Sequence, residues 1–189
     1  VAGILRAKNL HTVCESAQCP NRVECFNRGT ATVMILGETC TRNCRFCAVP
    51  KGTPQPLDPA EPEHVEQLVQ TLRLRHVVIT SVTRDDLPDG GAAVFAETIR
   101  RLKRQPKLTI EVLTPDLQGK ALHTVLAAAP DVFNHNLETI RRLQPLVRPL
   151  ADYQRSLAVL REAAQWEPKP IVKSGLMLGM GETDAELEE

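Results

Sequence analysis

Six cysteines fall within residues 14–47, as two triplets, and none follows in a chain of 189 residues. Such bunching is not a disulfide framework, whose staples would be spread across the loops they close. Metal ligation or redox chemistry suits it better. The second triplet comes directly after the first predicted strand, so the question for the fold is what kind of sheet follows it.

From Ala31 onward, short apolar runs alternate with amphipathic stretches. The runs at 31–37, 77–82, 108–114, 132–137 and 171–179 have the length and composition of buried parallel strands. Between them Val65, Leu68, Val69 and Leu72 repeat at i, i+3, i+4, i+7, as do Leu122, Val125, Leu126 and Ala129. Phe95, Ile99 and Leu102 mark a third helix, and Tyr153, Leu157, Leu160 and Ala164 a fourth. Pro62 suits a first helical turn, and Thr183-Asp184-Ala185-Glu186 reads as a capping box opening a fifth helix.

Strand parity bears on the choice between an open sheet and a barrel. Leu108, Ile110 and Val112 share one face while Thr109 and Glu111 share the other, and Asn134, Asn136 and Glu138 point one way from the fourth run. Helices cover the apolar face, so the polar residues opposite meet a wet or ligand-filled interior. This favours an α/β fold of the partial (β/α) TIM-barrel type, about five βα units long, over a sheet with helices on both faces. By the same argument Glu111 and Lys173 both point inward and should pair.

A composition of 42% hydrophobic and 24% charged residues fits a soluble domain with a sizeable core. Lysine and arginine (23) balance aspartate and glutamate (23), so no basic field points to nucleic acid or an anionic membrane. No run approaches the roughly 20 apolar residues of a bilayer span, and residues 1–6 are not a signal peptide. A cytoplasmic location is the default. A start at valine and an end inside a predicted helix suggest a piece of a longer protein.

Cys40, Cys44 and Cys47 form C-x3-C-x2-C in the segment GETCTRNCRFC at 37–47. Three thiolates on a short loop can hold three irons of a cubane and leave the fourth open as a reaction site. Zinc sites more often show paired C-x2-C knuckles or added histidines. This spacing after a first strand is a strong pattern of radical S-adenosylmethionine (SAM) enzymes. Cys14, Cys19 and Cys25 form C-x4-C-x5-C, which alone could equally be a zinc knuckle or unliganded cysteines. Directly preceding the other triplet, it implies a second cluster. Domain organisation follows: residues 1–30 carry the auxiliary cluster, and residues 31–189 form the partial barrel, cut off before its C-terminal end.

Taken with TSVTRDDLPDGG at 80–91, EVLTPD at 111–116, NHNLET at 134–139 and KSGLMLGMGE at 173–182, the two triplets resemble the lipoyl synthase family over nearly the whole chain. The resemblance implies that Cys40, Cys44 and Cys47 bind a [4Fe-4S] cluster whose free iron chelates SAM. Reductive cleavage there would yield a 5'-deoxyadenosyl radical that takes hydrogen from carbons 6 and 8 of an octanoyl chain. Cys14, Cys19 and Cys25 would hold a second [4Fe-4S] cluster, consumed as the sulfur donor. The implied partners are octanoylated lipoyl carrier proteins or domains and an electron donor such as a flavodoxin or ferredoxin.

Thr80 and Ser81 end the second strand, where the family engages the methionine end of SAM. Asn136 and Glu138 end the fourth, where they would accept from ribose hydroxyls or, alternatively, cap the next helix. Lys173, Gly175, Met177 and Gly179 line the face expected to meet the cofactor, and residues 175–182 resemble the family's G-x-I-x-G-x-x-E motif with Met177 in the isoleucine place. The plain alternative for these glycines is turn chemistry. Asp85, Asp86 and Asp89 read as a turn and helix start, His135 as a packed histidine and Phe46 as a cluster shield.

Two departures stand out. The family completes its auxiliary cluster with a serine of an R-S-S-Y motif, whereas the serines here are at 16, 81, 156 and 174, outside such a motif. The sixth barrel strand is also missing. A biotin synthase-like enzyme shares the chemistry but takes its auxiliary ligands from barrel strands. A non-catalytic iron-sulfur protein would not need the polar interior or the glycine motif.

Overall fold

The computed structural model describes residues 10–16 and 19–189. Its strands are β1 (His11–Thr12), β2 (Thr30–Ile35), β3 (His76–Ser81), β4 (Thr109–Leu113), β5 (Val132–Asn134) and β6 (Ile171–Lys173), and they form one sheet in that order. Strands β2 to β6 are parallel, each paired with the next, and β1 runs antiparallel to β2. The helices are α1 (Val13–Ser16), α2 (Arg22–Asn27), α3 (Glu61–Thr71), α4 (Ala92–Leu102), α5 (Lys120–Leu126), α6 (Gln144–Val147), α7 (Tyr153–Ala164) and α8 (Asp184–Glu188).

All five parallel strands coincide with predicted runs. Two are shorter than the apolar composition suggested: β5 stops at Asn134 and not at Leu137, and β6 at Lys173 and not at Gly179. Beyond them pairing shrinks to a single bridge between Glu138 and Leu176. Glu138 has φ 68° and Gly179 φ 92°, which no strand accommodates.

Met34, Thr80, Leu113, Asn134 and Lys173 lie level across the sheet, so they share one face with Thr32, Val78 and Glu111 two residues below. The other face presents Val33, Ile35, Val77, Ile79, Ile110, Val112 and Phe133. These join Val65, Leu68, Phe95, Ile99, Leu122 and Val125 of α3, α4 and α5 in one buried core. Each such side chain contributes about 1.5–3 kcal/mol by leaving water.

Helix α7 departs from the expected face. Ser156, Val159 and Ala163 are buried, while Tyr153, Leu157, Leu160 and Ala164 are half-buried. Small side chains let this helix lie close against β6, with the larger ones flanking the contact. Strand β6 is an edge of the described sheet, and Ile171 is 68% exposed there. Helix α8 opens with the expected capping box, Thr183 and Glu186 each bonding the other's backbone.

The loop after β3 shows why it carries Asp-Gly-Gly. Asp89 accepts from the amides of Gly91 and Ala93 at 2.9 Å each, opening α4 as the turn reading expected. Gly91 has φ 88°, and a Cβ there would lie 2.2 Å from Cδ1 of the buried Leu36. Gly91→Ala therefore combines left-handed strain with overpacking and should cost about 2 kcal/mol of stability. A urea midpoint unchanged from wild type would show that Leu36 yields freely.

Candidate iron-sulfur and cofactor site

The cysteine loop leaves the C-terminal end of β2 and closes on itself. The Cys40 amide donates to the Pro50 carbonyl at 2.8 Å, the Gly52 amide returns to the Cys40 carbonyl at 3.1 Å, and the Lys51 ammonium donates to the Cys47 carbonyl. The segment after β3 and helix α6 hold it from outside. The Thr41 amide donates to the Thr83 carbonyl at 3.1 Å, the Asp85 amide to Thr41 Oγ1 at 3.1 Å, and the Arg45 amide to the Val147 carbonyl at 2.9 Å.

Arg42, inside the triplet, supplies the strongest tie. Its Nε and Nη2 donate to Asp85 at 2.9 and 2.7 Å, a bidentate pairing, and its Nη1 donates to Asp116 at 2.5 Å. Arg155 reaches the other oxygen of Asp116 at 3.3 Å, and the Asp116 side chain is only 1% exposed. Burial works against the Arg42 charge, but Asp85 and Asp116 outweigh it and raise its pKa. Asp85 is thus more than a turn residue. Asp86, by contrast, pairs with Arg84 at 2.8 Å beside the turn. Sequence reasoning did not single out Arg42, Asp116 or Arg155, although a cation within the cysteine loop and acids just past two strand ends were available signals.

Cys40, Cys44 and Cys47 line one cavity at the C-terminal ends of the strands, together with the expected Thr80, Ser81, Asn136 and Glu138. Phe46, His135 and Arg148 also face it. Cys40 Sγ accepts from the amides of Thr83 at 3.3 Å and Arg42 at 3.4 Å, and such bonds help set the potential of a sulfur-ligated cluster. Burial pushes the Cys44 thiol up in pKa, with the charge and hydrogen bond of Arg148 pulling it back. His135 is buried, its Nδ1–H donating to the Thr114 carbonyl at 2.9 Å, and burial lowers its pKa as befits a packed, neutral ring.

Glu138 takes its left-handed backbone at the cavity wall, a conformation costing a non-glycine residue about 1–3 kcal/mol. Its amide donates to the Gly175 carbonyl at 3.0 Å and its carbonyl accepts from Met177 at 2.9 Å. Burial raises its pKa, against the opposing hydrogen bond of Asn136 and charge of Arg148. A Cβ on Gly175 would come within 3.0 Å of Asn136 Oδ1, so that glycine leaves room for the amide.

Four of the residues expected at the cofactor are placed outside this lining. Lys173, Gly175, Met177 and Gly179 do not line this cavity. The Lys173 ammonium turns to Glu111, one layer further in, and donates to Oε1 at 2.9 Å as the parity argument expected. Glu111 also meets Asn134 Nδ2 at 3.3 Å and His76 Nε2 at 3.2 Å, so a single buried carboxylate gathers three side chains. Gly175 and Met177 act through their backbones on Glu138, and the Gly179 amide donates to Glu182.

Cys14 sits on α1, Cys25 on α2 and Cys19 in the connection, all half-buried. The Cys19 amide donates to the Cys14 carbonyl at 3.1 Å; residues 17–18 between them lie outside the described residues. Among the described residues, no three His, Cys, Asp or Glu side chains already form a cage for a single metal ion. A cubane spaces its thiolates more widely than one ion does. The second triplet suits it: three cysteines face one cavity, one sulfur already accepts two amides, and a buried cation stands beside them.

A family model of the radical SAM superfamily matches residues 34–189. The lipoyl synthase of Caldanaerobacter subterraneus subsp. tengcongensis is 58% identical over 98% of this chain and 66% of its own length. That of Caldicellulosiruptor saccharolyticus is 52% identical over 100% and 67%, respectively, and that of Rubrobacter xylanophilus 56% identical over 97% and 58%. The chain thus spans between 58% and 67% of these relatives. Among solved structures, HydG, a maturase of the [FeFe]-hydrogenase, superposes with a TM-score of 0.67 at 15% identity, over 97% of this chain and 47% of that one. Methylornithine synthase gives 0.60 at 15% identity, over 83% and 47%. At such identity these two speak only for the fold. With both cysteine triplets in place and relatives above half identity along its whole length, the chain belongs to the lipoyl synthase family of the radical SAM superfamily.

Proposed function

We propose that the protein to which this chain belongs catalyses the insertion of two sulfur atoms into a protein-bound octanoyl chain, at carbons 6 and 8, making the lipoyl group. One observation carries the reading: Cys40, Cys44 and Cys47 share a cavity with Thr80, Ser81, Asn136 and Glu138 at the strand ends. That end of a βα-barrel is where sites are built. The three cysteines would hold a [4Fe-4S] cluster. Thr80 and Ser81 would bind the polar end of SAM, Asn136 and Glu138 its ribose, and Gly175, Met177 and Gly179 would support this wall through the backbone.

When bound, the cluster and SAM supply a 5'-deoxyadenosyl radical able to take hydrogen atoms from the octanoyl chain. The residues here position the groups and keep water away from that radical. Cys14, Cys19 and Cys25, within an N-terminal region of residues 1–30, would hold the auxiliary cluster that gives up its sulfur. An octanoylated lipoyl carrier protein is the substrate, and a flavodoxin or ferredoxin of the cytoplasm would deliver electrons. No described helix is long and apolar enough to cross a membrane.

Anaerobic reconstitution tests the reading. The full-length protein should bind about eight irons, two cubanes' worth, and form 5'-deoxyadenosine and lipoyl product when given SAM, reductant and an octanoylated carrier domain. Iron binding that stops at about four would remove the second cluster.

A further inference from the structure

Two arginines are buried among the described residues, and they are treated differently. Arg84, 3% exposed, lies on the carboxylate of Asp86 at 2.8 Å. Arg148, 9% exposed, pairs with no carboxylate among the described residues. Its Nη1 donates to the carbonyls of Asn136 at 3.0 Å and Leu137 at 3.2 Å, and its Nε has no partner. The carboxylate that shares the cavity, Glu138, makes no ion pair with it and is pushed toward its neutral form by burial, so a ligand beside Arg148 that brings negative charge is favoured.

Backbone geometry says which group that is. The amide of Arg45 donates to the carbonyl of Val147 at 2.9 Å, so the peptide joining residues 44 and 45 lies directly against the one joining 147 and 148. Arg148 and Cys44 then both face the same cavity. Three thiolates on a cubane carry net negative charge, which grows by one on reduction, and a fixed cation nearby favours the reduced form.

We propose that Arg148 is the counter-charge of the cluster held by Cys40, Cys44 and Cys47 and raises its reduction potential. This rests on the cluster assignment made above. Arg148 is a positioning and tuning residue: it forms no bond to iron, and its charge makes the electron easier to accept from a physiological donor.

The test is potentiometric titration of the reconstituted protein, in a background with Cys14, Cys19 and Cys25 changed to Ala so that one cluster is read. Arg148→Met and Arg148→Gln should shift the one-electron equilibrium toward the oxidised form by about tenfold, about 59 mV more negative. Arg148→Lys should stay near the unmodified background. Gln is neutral but keeps an N–H donor in the cavity, so it serves if Met does not fold. If the Lys variant binds iron and neither neutral variant does, the requirement for charge is upheld by loading itself. Unchanged potentials in the neutral variants, or weakened SAM binding without a potential shift, overturn the proposal and leave the cluster assignment intact. Failure of the unmodified background to bind iron overturns both.

Discussion

Arg42→Met should lower the stability of the protein by about 3 kcal/mol and strip most of the iron from the second triplet. The magnitude comes from Asp116: its side chain is 1% exposed, and removing Arg42 leaves that carboxylate with Arg155 alone, at 3.3 Å. Breaking one side of a buried pair costs far more than the pair contributes, because the remaining charge stays desolvated. Asp85, with its side chain 47% exposed, can turn to water and should matter less. Iron loss follows from position. Arg42 lies between Cys40 and Cys44 and binds acids from the loops after β3 and β4, so it holds the cysteine loop in place before any iron arrives. The double variant Arg42→Met/Asp116→Asn should be more stable than Arg42→Met alone, since the orphaned charge is gone. Denaturant unfolding and iron analysis check both points. An Arg42→Met protein that unfolds at the wild-type midpoint and holds full iron would show that the loop needs no such fastening.

The parallel strands were legible because each is a short apolar run between amphipathic helices, and a core of this kind leaves that signature in any chain that has one. That Thr80, Ser81, Asn136 and Glu138 would gather in one cavity with the second triplet was legible because strand C-termini converge at one end of such a sheet. The pairing of Glu111 with Lys173 followed from the two-residue period of β4 and β6. What escaped has equally plain causes. Strand β1 and helices α1, α2 and α6 span two to six residues, too few for a period to show. Helix α7 is buried through Ser156, Val159 and Ala163, a row whose polar first member hides it from a hydrophobic pattern. Arg42, Asp116, Arg148 and Arg155 act across loops far apart in sequence. Only the fold brings them together.

Alanine in place of the cysteines should divide the chemistry in two. Cys40, Cys44 and Cys47 share the cavity with the residues assigned to SAM, so their replacement should abolish its cleavage outright. Cys14, Cys19 and Cys25 lie on α1, α2 and the stretch between, and none of them lines that cavity. Their loss should end sulfur insertion while SAM is still cleaved, since the radical needs only the other cluster. The measurement that reaches the centre of this account is therefore 5'-deoxyadenosine formation by the reconstituted Cys14→Ala/Cys19→Ala/Cys25→Ala protein, assayed with an octanoylated carrier domain and reductant. The account predicts that 5'-deoxyadenosine forms and no lipoyl group appears; a variant that loads its remaining cluster yet makes no 5'-deoxyadenosine, or one that still inserts sulfur, would contradict it.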